Sequence, residues 1–146
     1  MKTLVLILSI LFSLTSCSGD NPKTTSITFT EIGEGALSGD GSEGIAQSNI
    51  VIKNTTDWQN LITQMNSFNN VSSSFSETDI DFDNYLIIAV FLEVKPNGWE
   101  VEITEVTENE NSLVVSTKET EFVSSVISQP YSIVKIRKTE KTIEFE

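Results

Sequence analysis

Residues 85–94 read Tyr-Leu-Ile-Ile-Ala-Val-Phe-Leu-Glu-Val (YLIIAVFLEV), apolar at every position but Glu93. A strand with one wet face alternates apolar and polar side chains, whereas a strand buried on both faces reads as a continuous apolar run. Residues 85–94 therefore predict a central strand. On its C-terminal side, Lys95-Pro96-Asn97-Gly98 has the chemistry of a turn: proline fixes φ, and Asn-Gly tolerates positive φ. Trp99, Val101 and Ile103 then alternate with Glu100, Glu102 and Thr104. That alternation predicts a half-buried strand returning as a hairpin.

Farther out, the same signals recur. Asn109-Glu110-Asn111 predicts another turn, with strands at 113–117, at 131–137 after an interruption at Ser128-Gln129-Pro130, and at 142–145. Upstream, Ile27–Ile32 and Asn49–Lys53 suit short strands. Residues 33–44 (GEGALSGDGSEG) predict a flexible glycine-rich connection. The segment holds no Lys or Arg and no GxxxxGK[ST] pattern, so it does not suit phosphate. One helix is expected, capped by Thr56 with Gln59 three residues on and ending near Asn66. Its residues Trp58, Leu61, Ile62 and Met65 fall on one face. The expected class is α+β: one antiparallel β-sheet of about six or seven strands with one amphipathic helix packed on it.

Composition restricts the chemistry. The chain has 146 residues, no histidine and one cysteine. It thus lacks an imidazole base, an intramolecular disulfide and a multi-cysteine metal site. Residues 1–16 (MKTLVLILSILFSLTS) pair Lys2 with a short apolar stretch and small residues, the layout of a signal peptide. Leu14-Thr15-Ser16-Cys17 resembles a bacterial lipobox, in which cleavage precedes the cysteine and its thiol is acylated. Residues 17–26 are expected to be the lipidated Cys17 and a polar tether, and 27–146 a single domain. Cleavage removes Lys2 and leaves eight basic against 21 acidic residues, a formal −13. Such a surface repels nucleic acid and anionic lipid, leaving the lipid as the membrane attachment. The expected location is the cell envelope, at the outer membrane, with the face left open.

Three groups of residues invite a chemical reading. Asp79, Asp81 and Asp83 resemble the start of a calcium loop, but Asn84 and Val90 occupy the positions of its glycine and closing glutamate. A strand lead-in with one wet face is the expectation there. Glu100, Glu102, Glu105, Glu108 and Glu110 could pair as catalytic carboxylates, yet nothing signals the pocket such chemistry needs. None of the serines lies in GxSxG. No catalytic residue, metal or cofactor is expected.

Four segments resemble the PrcB family, accessory subunits of a bacterial surface protease complex. They are Gly44-Ile45 with NIVIKNTTDWQNLI (49–62), IDFDNYLIIAVFLEVKPNGWEVEI (80–103), SQPYSIVKIRK (128–138) and TIEF (142–145). Family members often carry Gly-Gly-Tyr where this chain has Asn97-Gly98-Trp99. The resemblance implies a noncatalytic lipoprotein that binds or stabilises a partner protein, an exported protease being one candidate. A loop-based protease inhibitor is the alternative, with a carboxylate or metal-dependent enzyme behind it. The candidate contact residues form two turns: Lys95, Pro96, Asn97, Gly98 and Trp99, and Ser128 with Gln129, Pro130 and Tyr131. Aromatic side chains beside proline turns supply large contact area at low entropic cost.

Overall fold

The apolar 85–94 run is buried on both faces because its strand lies in the middle one of three layers. The computed structural model describes residues 24–146; the expected signal segment, Cys17 and residues 18–23 lie outside the described residues. In chain order the elements are β1 (Thr25–Ser26), β2 (Thr30–Ser38), β3 (Ser48–Ile52), α1 (Thr55–Met65), β4 (Tyr85–Phe91), β5 (Trp99–Glu108), β6 (Ser112–Glu121), β7 (Ser128–Arg137) and β8 (Thr142–Phe145). A short 3-10 turn covers Val71–Ser74. One sheet has the order β2-β7-β4-β3 and the other β1-β5-β6-β8. Neighbours are antiparallel except β6 and β8, which run parallel. The α+β class holds, but the strands number eight among the described residues and divide between two sheets, not one.

Ile87, Ala89 and Phe91 of β4 pack against Trp58, Leu61, Ile62 and Met65 of α1. Leu86, Ile88 and Val90 face the other way, against Val101, Ile103 and Val106 of β5 and Leu113 and Val115 of β6. Each such side chain taken out of water contributes about 1.5–3 kcal/mol before entropy is charged against it. The helix boundary lies two residues before the expected cap. Asn54, not Thr56, is the N-cap: its Oδ1 accepts the Asp57 N–H at 2.9 Å, and its Nδ2 donates to Asp57 Oδ2 at 2.7 Å. The reciprocal i, i+3 pairing outcompetes a threonine cap.

The expected hairpin between β4 and the Trp99 strand does not form. Both edges of β4 are occupied, by β3 and by β7. The chain turns at Asn97 (φ 72°) and Gly98 (φ 85°) and crosses into the second sheet, where β5 pairs with β6 and β1. The turn chemistry was legible; the pairing partner depends on distant strands. A bulge between Ile103 and Glu105 turns Val106 inward again after the alternation of Val101 and Ile103. The Asn109–Asn111 turn does join a true hairpin, β5 to β6, and Asn109 Oδ1 accepts from the Asn111 and Ser112 N–H groups.

Residues 33–38 are likewise strand, not loop. β2 continues through them, paired with β7. Gly33 and Gly35 serve close packing: a Cβ on Gly33 would lie 2.6 Å from the Phe75 ring, and Gly35 (φ 154°) lies against Tyr131. Thr25 and Ser26, placed in the tether by sequence, pair with Glu108 and Thr107. The Asp79–Asp83 segment alternates as expected, with Ile80 and Phe82 buried and the three acids exposed. It leads into β4 through a turn at residues 82–84. The Asn84 side-chain amide donates to Asp81 at 2.8 Å, and this bond holds the Asp81 carboxyl below the usual carboxylate range. Among the described residues, no group of three or more His, Cys, Asp or Glu is placed to hold a metal ion.

Candidate functional site

The Lys95–Trp99 turn is anchored by its two ends. Lys95 exchanges backbone hydrogen bonds with Ser128, at 2.8 and 3.1 Å. Its ammonium pairs with the Glu119 carboxylate and lies 4.1 Å from the centre of the Trp99 ring. Trp99 is half-buried under that lysine, while Pro96 and Asn97 are exposed. The structure thus brings the two sequence candidates together, since Lys95 and Ser128 are bridge partners.

Ser128-Gln129-Pro130-Tyr131 is not a turn. It opens β7, and all four residues are buried. Proline is tolerated there because of its neighbour. Leu92 N–H donates to Pro130 O at 3.0 Å. In an antiparallel pair the return bond would come from the Pro130 N–H, which does not exist. Gln129 Nε2 supplies it instead, donating to Leu92 O and to Ile45 O, both at 2.9 Å. Burial pushes the Tyr131 phenol up from its ordinary pKa. Gln129→Leu strands two carbonyls and relieves one buried amide oxygen without a partner. Its expected cost is about 1–3 kcal/mol, read as a lower urea midpoint at unchanged slope. An unmoved midpoint would show that the amide does not stand in for the missing proline donor.

The surface beside the turn comes from residues that the sequence reading did not single out. Between β6 and β7 runs Phe122-Val123-Ser124-Ser125-Val126-Ile127. Here Phe122 is 48% exposed, Val123 105%, Val126 61% and Ile127 56%. Val94, ahead of the turn, is 40% exposed. Phe122 N–H donates to Gly98 O at 3.1 Å, and a Cβ on Gly98 would lie 2.5 Å from Ser124 Cβ. At the other end, a Cβ on Gly39 would lie 2.0 Å from Ile127 O. The apolar crest is therefore seated on two glycines. An open cleft of about 400 Å³ separates it from the turn, lined by Asn97, Glu121, Phe122, Val123 and Ser124. The available signal was four apolar residues in six without the strand alternation that buries one face.

The carboxylates have a different setting. Glu100, Glu102 and Glu105 are all exposed, which removes the enclosed pair that acid–base chemistry would need from them. Partial burial, with Glu31, Glu102 and Glu100 nearby, raises the Glu34 carboxyl above its ordinary pKa.

Residues 86–137 match the family model for the PrcB C-terminal region. Over that segment the chain is similar to the PrcB C-terminal family. The matched PrcB segment runs from β4 through β7 and contains the whole turn, the crest and Gln129–Tyr131. No curated protein and no solved structure matches the chain.

Proposed function

We propose that the protein is a noncatalytic, lipid-anchored envelope protein that binds or stabilises an exported partner, a protease being the class the family suggests. The observation that carries this reading is the crest. Four large apolar side chains stand exposed within one six-residue connection, supported by a rigid Asn-Gly turn inside the PrcB segment. Soluble domains rarely expose a contiguous apolar patch without a contact that uses it. Cys17 supplies the lipid in this reading, and no helix among the described residues is long and apolar enough to cross a membrane.

A photoreactive amino acid at Val123, in the full-length protein in its own cells, tests the proposal. The expected result is capture of one exported protein, whose proteolytic activity is maintained or raised by the complex. Phe122→Ser with Ile127→Ser is expected to remove most of that capture, by roughly tenfold or more. Equal capture of the same proteins from Asn111, an exposed position in the β5–β6 turn, would overturn the reading.

A further inference from the structure

The crest has a charge border of one sign. Glu93 precedes Val94, Glu121 precedes Phe122, and both are exposed. Asp40, also exposed, follows Gly39, whose backbone lies against Ile127. Asp40 is held ionised: the Ser38 hydroxyl donates to it at 2.6 Å, the Ser42 hydroxyl and N–H donate too, and its carboxyl is lowered to about 2. Lys95, in the adjoining turn, is engaged with Glu119 and lies over Trp99, so its charge is already paired.

The crest also has a definite position. The chain enters the fold at Thr25, opposite Glu108 at one end of β5, whereas Trp99 at the other end pairs with Glu121 beside the crest. β5 is 10 residues long, so at about 3.4 Å per residue these ends lie about 30 Å apart.

We infer that the crest receives a protein surface with an apolar recess bordered by lysine and arginine, docking at the end of the domain remote from the N-terminal entry. Two features favour this occupant over others. A second copy would bring the same acidic border, and the whole chain carries a formal −12. A bilayer holding the N-terminus would lie nearer the opposite end. The inference rests on the binding role proposed above and adds the partner's chemistry and direction of approach.

The test uses the full-length protein with the photoreactive residue at Val123, in envelopes isolated from its own cells. Capture is compared at about 0.05 and about 0.5 M salt, where screening differs several-fold in range. A Glu93→Lys, Glu121→Lys pair is compared with Glu110→Lys, Glu140→Lys, which makes the same charge change at exposed positions elsewhere. The expected result is a roughly tenfold fall in capture at high salt and with the first pair, and less than a twofold change with the second. Capture of a protein at yields indifferent to salt and to both pairs overturns this inference and leaves the binding role standing. Equal loss with both pairs, or capture of lipid or of a second copy, also overturns it. Absence of any capture overturns both readings.

Discussion

Trp58→Ala is expected to lower the free energy of unfolding by about 3–5 kcal/mol, the usual cost of emptying a large aromatic site. Trp58 has no exposed surface. Its ring stacks on Phe75 with centroids 6.1 Å apart, and its Nε1 donates to Thr78 O at 2.9 Å. It is thus the contact that fastens α1 and the 75–78 segment to the middle sheet. Domains of this size hold about 5–15 kcal/mol in total, so roughly a fifth or more of the stability depends on one side chain. Urea unfolding followed by the fluorescence of Trp99, the other tryptophan, measures the change. Trp58→Phe is expected to recover part of the loss, because it restores ring volume without the donor. A loss under about 1 kcal/mol for the alanine variant would show that the helix is peripheral to the core.

The second large effect concerns Cys17. Under the lipoprotein reading, Cys17→Ser abolishes palmitate incorporation and moves the mature protein from the membrane fraction into the soluble one. Each methylene of an acyl chain buried in the bilayer contributes about 0.8 kcal/mol. The acidic surface supplies no compensating attraction to anionic lipid. The variant is made behind a plain secretory signal, so that an uncleaved leader does not itself retain the protein. Continued labelling of the serine variant, or its continued sedimentation with membranes after a salt wash, would defeat the lipid assignment.

Local chemistry made much of this architecture legible. The unbroken apolarity of 85–94 reported burial on both faces, and Trp58, Leu61, Ile62 and Met65 reported the helix face. Pairing was legible only at the β5–β6 hairpin. Asn97-Gly98 forms the left-handed turn its residues favour, yet β5 joins a different sheet because β3 and β7 already flank β4. Gly33 and Gly35 read as looseness for a similar reason: their function lies in Phe75 and Tyr131, remote in sequence. The candidate site was half legible. Lys95–Trp99 was visible as a rigid aromatic turn. Gln129–Tyr131 looked like a second turn because proline suggests interruption, and only the Gln129 amide explains how a strand tolerates it. Phe122–Ile127 escaped notice because apolar residues imply burial by default, and their exposure is a property of the assembled surface.

The two-residue strand β1 has a mechanical consequence. A pull on the chain ahead of Thr25 meets only the pairing of Thr25 and Ser26 with β5, plus the Ile27 N–H bond to Val106 O at 2.7 Å. Behind them, Ile27 and Phe29 are half-buried against the core, and β2 is tied to β7 along eight paired positions. Load therefore reaches a weak clasp before it reaches the sheets. Opening that clasp would release Thr25–Ile27, about 10 Å of extra reach at about 3.4 Å per residue, while the other seven strands stay paired.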